Sequence, residues 1–235
     1  MAEIGELSVF FPAFNEEENI SQTVLLAKKV LASTADKWEI IVVNDGSKDN
    51  TGHIVEDLGK KDPRIKVINH KENEGYGSAL QSGLYNASYK WIVYNDSDGQ
   101  FDFAEITRFL EKTRDADLLL GWRIHRKDSF YRKFLAKGWA ALLFIFFGLK
   151  LKDVDCGFKM VKKEVIDRIP HLESERGGMI NAELAIKAKE AGLTIAQVGV
   201  THYPRRAGTA TGAQIRVIVK SFLDLARLWI KLRLG

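Results

Sequence analysis

Short apolar runs and amphipathic stretches alternate along the first half of the chain. Runs rich in β-forming residues predict strands at Leu7–Phe11, Glu39–Val43, Ile65–Asn69, Trp91–Asn95 and Leu118–Leu120. Helical spacing of apolar residues between these runs predicts helices at about Glu16–Leu31, Asn50–Lys60, Ser78–Asn86 and Ala104–Thr113. Because alternating strands and helices form right-handed βαβ units, we expect an α/β fold with a mostly parallel central sheet flanked by helices.

The pattern changes after Gly121, where a basic stretch leads into the apolar segment Trp139–Phe147. Its nine residues are about half of the ~20 that a membrane-spanning helix needs, so the segment predicts a buried or an interfacial helix. A further helix at about Ala182–Ala191, a strand at Thr194–Val200 and a long helix from Ala213 complete the predicted elements.

Composition and charge limit the class of protein. With 235 residues, 46% of them apolar, the chain is expected to form one large domain or a domain with an appendage. The single cysteine, Cys156, excludes an internal disulfide framework and fits a reducing compartment. No signal-peptide pattern begins the sequence, so we expect a cytoplasmic protein. The segment from Arg205 onward has seven Lys and Arg against Asp224 alone, whereas the rest of the chain is net negative.

The most informative segment is Asp96-Ser97-Asp98-Gly99-Gln100, which follows the predicted strand Trp91–Asn95. Ligands of open α/β sheets bind outside the carboxyl ends of the strands. Carboxylates grouped at such an end suit a hard divalent cation that also bridges phosphate oxygens. The alternative for this segment alone is an acidic turn that closes a strand.

Three further strand ends have polar segments with both structural and functional interpretations. In Phe11–Asn19, Asn15 can cap the following helix and acidic residues suit its first turn. In Asn44–Thr51, Asp45 either begins an Asp-Gly turn or accepts hydrogen bonds from a base or ribose. The segment Asn73–Leu80 lacks the third glycine of a dinucleotide-binding motif, so a Rossmann cofactor is not expected, and a glycine-rich turn near a sugar or phosphate remains open.

Together, the segments FPAFNEEEN, VNDGSKDNT, NEGYGSAL and NDSDGQFD, in this order, resemble the family 2 glycosyltransferases with the GT-A fold. Within that family the chain is similar to the polyprenyl-phosphate hexose synthases, such as dolichol-phosphate mannose synthases. The resemblance covers roughly residues 5–210. It implies a GT-A nucleotide-diphospho-sugar transferase domain at 1–212, followed by an amphipathic helix at 213–235.

The resemblance also implies roles for individual residues. Catalytic roles fall to Asp98, Arg123 and Arg205, and the acceptor phosphate meets Arg123 and Arg132. Asp96, Asp98 and Gln100 match the group that binds Mg²⁺ or Mn²⁺ and the donor diphosphate. The expected donor-binding residues are Pro12, Ala13, Glu16, Val43, Asp45, Gly77, Asp96 and Ser97.

Two segments depart from the resemblance and affect the acceptor contacts. Ala136 stands where related synthases often have a serine, and Asp153-Val-Asp155-Cys156-Gly157-Phe158 replaces their Asp-x-x-Ser-Gly-Phe. Each arginine also has the alternative of belonging to a solvated face. For Arg123 this alternative is weaker, because Arg123 follows an apolar strand directly, near the carboxyl edge that carries Asp98.

Other polar residues are expected to have structural roles. His125, His171 and His202 lack the spacing of metal ligands. Glu183 is either a carboxylate on a helix surface or, in an enzyme with a hydroxyl acceptor, a catalytic base.

The terminal helix has apolar residues at helical spacing and a basic stripe formed by Arg216, Lys220, Arg227 and Lys231. Such a helix suits an anionic membrane surface. An ordinary amphipathic helix packed on the domain is the alternative. We therefore expect a peripheral protein on the cytoplasmic face of a membrane or one that relies on a separate membrane subunit.

The predicted activity is inverting, metal-dependent transfer of a hexose from GDP-mannose or UDP-glucose to a dolichyl or undecaprenyl phosphate, without a nucleic-acid partner. One alternative is a family 2 enzyme with a sugar or protein hydroxyl acceptor, for which Glu183 or Asp155 would be the base. A processive polysaccharide synthase is not expected, because no Q-x-x-R-W segment or spanning helix is present. A third alternative is a catalytically silent subunit that binds nucleotide-sugars and recruits partners to membranes.

Overall fold

The computed structural model describes residues 4–124, 130–175, 177–205 and 215–234, and the side chains of residues 130–136, 215–221 and 234 lie outside that description. At its centre is a seven-stranded sheet in the order β3-β2-β1-β4-β6-β5-β7, in which only the pairs made by β6 are antiparallel. The strands are β1 (Ile4–Ala13), β2 (Ala35–Asn44), β3 (Ile65–Asn69), β4 (Trp91–Asn95), β5 (Leu118–Arg123), β6 (Phe158–Lys162) and β7 (Ile195–Val200). The predicted α/β class is confirmed.

Helices cover both faces of the sheet. They are α1 (Ile20–Leu31), α2 (Thr51–Lys61), α3 (Tyr76–Asn86), α4 (Ile106–Leu110, after a 3₁₀ turn at Phe103–Glu105), α5 (Phe130–Phe147), α6 (Lys163–Arg168), α7 (Met179–Glu190) and α8 (Ile215–Leu234). Within the described ranges, none of these helices has both the length and the hydropathy of a membrane span.

Alternation along the strands divides the core into two layers. Phe10 of β1 and Tyr94 of β4 point to the face covered by α3 and α7, whereas Val9 and Val93 point to the face covered by α1. All four side chains are fully buried. Because both faces are covered, the strands cannot shift easily, and their ends hold the loops that follow them in place.

Two elements were not predicted, β6 and α6. The lysines in β6, Lys159 and Lys162, interrupt the apolar run that would have indicated a strand, yet Lys159 is fully buried. The proposed cap at Asn15 was also wrong. Residue Asn15 has a left-handed backbone (φ 54°), its side chain accepts a hydrogen bond from the Lys48 amide at 2.8 Å, and α1 begins only at Ile20.

One edge of the sheet gathers the strand ends that matter for function. The carboxyl ends of β1, β2, β4 and β5 lie at this edge, and β6, being antiparallel, begins there with Asn95 opposite Phe158. The chain leaves β1 for β2 on one side and returns as β4 on the other, so the gap between β1 and β4 is a topological switch point. Such a gap is where open α/β sheets bind ligands.

Candidate active site

An arginine and two acidic side chains meet at the β1/β4 switch point. Arg205, which follows β7, places Nη2 2.7 Å from Asp98 Oδ2 and Nη1 3.4 Å from Glu16 Oε1. Glu16 and Asp98 are buried, while Arg205 is partly exposed. Three predicted site residues that are far apart in the sequence are therefore brought together.

Asp96 lies at the same strand end, against the start of β6. Its Oδ1 accepts a hydrogen bond from the Tyr76 hydroxyl at 3.0 Å. On its other side lies Gly157, where an added Cβ would be only 1.9 Å from Asp96 Oδ2. Any larger residue at 157 would thus displace this carboxylate.

The carboxylates of the crevice lie in an environment that disfavours their negative charge. Burial, and then the nearby charge of Asp98, raises the pKa of Asp96 to about 6. Burial is also the main cause of the raised pKa of Glu16, which the hydrogen bond from Asn19 and the charge of Arg205 oppose. A bound cation would relieve this repulsion, since an opposite charge favours the ionised form.

The residues present fit a hard divalent cation. Asp96 and Asp98 offer carboxylate oxygens, and the Gln100 amide nitrogen donates to the Tyr203 carbonyl at 3.1 Å, which leaves its amide oxygen as the side-chain ligand. Across the described ranges, no three His, Cys, Asp or Glu side chains form a site by themselves. Mg²⁺ is commonly held by one or two carboxylates together with substrate phosphates, which matches this donor set.

Hydrogen bonds tie the ends of β1, β2 and β4 to one another. Ser97 Oγ donates to the Pro12 carbonyl at 2.8 Å, and the Asp45 amide donates to the Ala13 carbonyl at 2.9 Å. Thr23 of α1 donates to the Ser97 carbonyl at 3.1 Å. Pro12, Ala13 and Ser97 therefore line the switch point as a fixed backbone.

The Asp45 carboxylate is occupied by its own loop. It accepts hydrogen bonds from the amides of Glu74 and Gly75, both at 2.9 Å, and from Asn73 Nδ2 at 3.0 Å, and it lies 2.8 Å from His70 Nδ1. Asp45 thereby fixes the loop that leads into α3. Its role in reading the base stays a prediction.

Two other predicted donor residues are packed against the protein itself. Val43 is fully buried in the core. Gly77 lies beneath a loop, because an added Cβ would be 2.0 Å from the Ser174 carbonyl oxygen. The need for glycine at 77 is explained by this close approach, and donor contacts for both residues stay predictions.

Glu183 does not lie on the helix surface, which was one of its two predicted positions. It is 1% exposed, it accepts hydrogen bonds from the amides of Glu173 at 2.8 Å and Ser174 at 2.9 Å, and it pairs with Lys187 at 2.6 Å. This carboxylate holds a loop in place. A surface role is wrong, and the hydrogen bonds oppose a role as base.

Arg123 is held by a partner that the sequence analysis did not identify. Its Nε and Nη2 lie 2.6 and 2.9 Å from the two carboxylate oxygens of Asp153, a paired geometry that fixes the plane of the guanidinium. Asp153 belongs to the segment Asp153–Phe158, which differs from the Asp-x-x-Ser-Gly-Phe pattern. The side chain of Arg132 and all of His125 lie outside the described residues.

Two further histidines, His171 and His202, make contacts typical of structural residues. His171 stacks on Tyr85 with ring centroids 4.4 Å apart, and His202 packs against Phe101 at 5.5 Å.

Helices α5 and α8 lie side by side. Trp139 contacts Phe222 and Phe146 contacts Trp229, with ring centroids 5.4 and 5.9 Å apart, so the helices run in the same direction. Large apolar side chains stay exposed along both helices, namely Phe144, Ile145, Phe146, Phe222, Leu223, Trp229 and Ile230. We call these seven residues the apolar ridge.

Comparison with known proteins gives the family. The family model described as "Glycosyl transferase family 2" matches residues 8–169, which include the whole Asp96–Gln100 segment. The chain belongs to glycosyl transferase family 2. The predicted family membership and glycosyltransferase class are confirmed.

Curated relatives agree with this assignment, and a solved structure has the same fold. The chain is 30% identical to a dolichyl-phosphate beta-glucosyltransferase of Trichomonas vaginalis, over 95% of this chain and 71% of that protein. It is also 30% identical to the dodecaprenyl-phosphate galacturonate synthase of Rhizobium johnstonii, over 87% of this chain and 61% of that protein. The glucosyl-3-phosphoglycerate synthase of Mycobacterium tuberculosis has the same fold, with a TM-score of 0.72, 23% identity and coverage of 94% and 79%.

Proposed function

We propose that this chain transfers a hexose from a nucleotide-sugar to the phosphate of a polyprenyl phosphate, with inversion at the anomeric carbon. The observation that carries the proposal is the convergence of Asp96, Asp98, Glu16 and Arg205 at the β1/β4 switch point. Such a cluster suits a diphosphate and its counter-ion. The names of the relatives point to polyprenyl-phosphate acceptors.

On the donor side, Asp96, Asp98 and Gln100 would hold Mg²⁺ or Mn²⁺, which when bound offsets negative charge on the departing diphosphate. Solved structures of the same fold are described as holding Mn²⁺ or Mg²⁺ with UDP. Arg205 reaches Asp98 and Glu16 and is close enough to meet phosphate oxygens at the same place. Pro12, Ala13 and Ser97 provide the fixed backbone beside them. UDP-glucose and GDP-mannose remain the two donor types.

On the acceptor side, an oxygen of the lipid phosphate attacks the anomeric carbon opposite the diphosphate. The bond from the anomeric carbon to the diphosphate oxygen breaks, and the nucleoside diphosphate leaves with the electron pair. A phosphate monoester has its second pKa near about 6, so no protein base has to remove a proton. Arg123, fixed by Asp153, would orient this phosphate, and the burial of Glu183 agrees with a mechanism without it.

We place the reaction at a membrane surface on the cytoplasmic side. The apolar ridge is larger than scattered surface residues, and exposed apolar patches commonly mark membrane or protein contacts. Arg227, Lys231 and Arg233 on α8 are half or more exposed and suit anionic headgroups. A separate membrane subunit that covers the ridge is the alternative occupant.

The experiment compares donors and acceptors in one assay. Radiolabelled UDP-glucose, GDP-mannose and UDP-GlcNAc are each offered with a polyprenyl phosphate or with the polyprenol of the same length, in the presence of Mn²⁺. We expect labelled lipid only with the phosphate, and none with Asp98→Asn. Transfer to the polyprenol or to a sugar hydroxyl would instead favour a hydroxyl acceptor with Asp155 as base. No turnover of any donor would favour the silent subunit.

A further inference from the structure

A lysine lies in the core beneath the crevice. Lys159 of β6 is 0% exposed, between Tyr94 on one neighbouring strand and Leu120 on the other. Lysine is almost never fully buried unless its ammonium group is paired, because removing the charge from water is costly. The position therefore requires an explanation beyond packing.

The ammonium of Lys159 is oriented by hydrogen bonds. It donates to the Cys156 carbonyl and, at 2.9 Å, to Oδ1 of Asn181 in the first turn of α7. The Tyr94 hydroxyl donates to the same Asn181 oxygen at 2.8 Å. Two donors on one oxygen fix the Asn181 amide in a single orientation.

From Asn181 the network reaches the crevice. Asn181 also acts on the Tyr76 hydroxyl: burial raises the pKa of Tyr76 well above its usual value, and the Asn181 amide acts in the opposite direction. Tyr76 in turn donates to Asp96 Oδ1 at 3.0 Å. Neighbouring polar groups, buried at Lys159 and Asn181 and partly buried at Tyr76 and Asp96, thus lead from the core to the crevice.

The charges that face Lys159 are mostly negative. Burial lowers the pKa of Lys159, and Asp155, Asp153 and Asp96 act in the opposite direction, whereas the Cys156 thiol, whose pKa burial raises to about 12, is uncharged at neutral pH. Asp96 is the one among them that belongs to the proposed metal site, and the charge of Lys159 helps to keep its carboxylate ionised.

We propose that Lys159 is a positioning residue, which orients the Asp96 carboxylate for the divalent cation through Asn181 and Tyr76. The inference rests on the proposed function, because it assigns the cation to Asp96 and Asp98. Residues that orient metal ligands through hydrogen bonds typically change metal affinity by about 10–100-fold when they are replaced. Lys159 never contacts the cation in this account.

The test measures Mn²⁺ affinity directly, from the electron paramagnetic resonance signal of unbound Mn²⁺, with UDP or GDP present. Lys159→Met keeps the side-chain length and removes the ammonium. Lys162→Met is the matched control, since Lys162 lies in the same strand and pairs with Asp117 at 2.7 Å, away from the crevice. We expect Mn²⁺ binding to weaken by about 10-fold or more in Lys159→Met and by less than about twofold in Lys162→Met.

A second variant isolates the path. Tyr76→Phe removes one hydroxyl and leaves Lys159 in place, and we expect a similar loss of Mn²⁺ affinity. If both residues act along one path, the double variant should lose little more than the stronger single variant. Circular dichroism checks that each variant is folded. If Lys159→Met does not fold, the Mn²⁺ affinity of Tyr76→Phe decides the test.

The two proposals fail in distinguishable ways. Unchanged Mn²⁺ affinity in folded Lys159→Met, or in Tyr76→Phe, overturns the positioning role while the metal site stands. An equally large loss of Mn²⁺ affinity in Lys162→Met also overturns the positioning role, because replacing either lysine of β6 would then have the same effect. If the unaltered protein binds no Mn²⁺ with either nucleotide, the metal part of the proposed function is wrong.

Discussion

Arg205 reaches Asp98 across 107 positions of sequence, and this contact depends on the chain order of the strands. Carboxylates at a strand end were sufficient to predict a site at Asp96 and Asp98, and the resemblance to family 2 added Glu16 and Arg205 to it. Their hydrogen-bond partners were not predictable, because those partners come from loops whose paths depend on tertiary packing. Asp153 is one such case, since nothing in its segment distinguishes it from Asp155 as the partner of Arg123.

The pairing of Arg123 with Asp153 leads to a prediction about the acceptor. Arg123→Lys keeps the positive charge and loses the planar, two-point contact with the carboxylate. We expect the KM for polyprenyl phosphate to rise by about tenfold, which corresponds to about 1.4 kcal/mol, with the donor KM unchanged. Steady-state kinetics with each substrate varied in turn measures both constants. Equal increases in both KM values would contradict an acceptor-specific role and place Arg123 elsewhere in the site.

The helices and strands of the βαβ part of the chain, up to β5, were predictable from the sequence. Those after Gly121 were less so. Strands β3 and β4 match their predicted bounds, because β4 is an apolar run up to Asn95 and β3 has three β-branched residues, Ile65, Val67 and Ile68, between polar turns. Strand β6 was missed because its lysines make it look like a surface segment, and only the network around Asn181 accounts for Lys159. The burial of Glu183 was also missed. Glu183 and Lys187 lie on the same helix, where such charged residues are typical of a surface, yet they pair with each other in the interior.

The pair formed by Glu183 and Lys187 holds the loop at residues 171–175. Glu183→Gln removes the nearer of two carboxylates that pair with the buried Lys187, at 2.6 Å compared with 3.7 Å for Glu173, and breaking buried pairs typically costs about 3–5 kcal/mol. We expect urea unfolding to show a loss of this size, while kcat per folded molecule stays within about threefold. A fall of kcat by about 100-fold or more in folded protein would identify Glu183 as the base after all.

Asp117 joins β5, β6 and the start of β7. Its hydrogen bond with Lys162 is the main cause of a pKa lowered to about 2, and Thr194 adds two further hydrogen bonds. Because the folded pKa lies below the unfolded value of about 3.9, the stabilisation is present above about pH 4 and is lost as the pH falls towards 2.

The variant Asp117→Asn should therefore be less stable than the unaltered protein at neutral pH. The difference in free energy of unfolding, measured in urea at a series of pH values, should narrow between about pH 4 and pH 2. A difference that stays constant across this range would mean that charge plays no part in the contact.

Over the whole molecule, helices α5 and α8 form a surface that is both basic and apolar. Helix α8 is anchored by its buried residues Leu225 and Leu228 and by the pair of Lys231 with Glu173 at 2.6 Å. The packed-helix alternative is thus correct for one face, while the opposite face contributes Ile230 and Trp229 to the apolar ridge. Arg216 and Lys220 of the predicted stripe have side chains outside the described residues.

The apolar ridge gives a prediction about membranes. Ile145 and Ile230 are 71% and 51% exposed, so changing both to Glu should leave the fold intact and release the protein from anionic vesicles. Sedimentation with vesicles measures the bound fraction. The control changes Leu25 and Leu26 to Glu, since both are similarly exposed on α1. If the control releases as much protein, or the ridge variant releases none, the ridge is not the contact surface.

In the proposed reaction, the phosphate of the lipid becomes joined to the sugar. Phosphorus NMR of a polyprenyl phosphate incubated with the enzyme, Mn²⁺ and the accepted nucleotide-sugar tests this directly. We predict that the phosphomonoester resonance of the lipid is replaced by a phosphodiester resonance as nucleoside diphosphate accumulates, and that Asp98→Asn abolishes the change. Nucleoside diphosphate release with an unaltered lipid phosphomonoester would contradict the account.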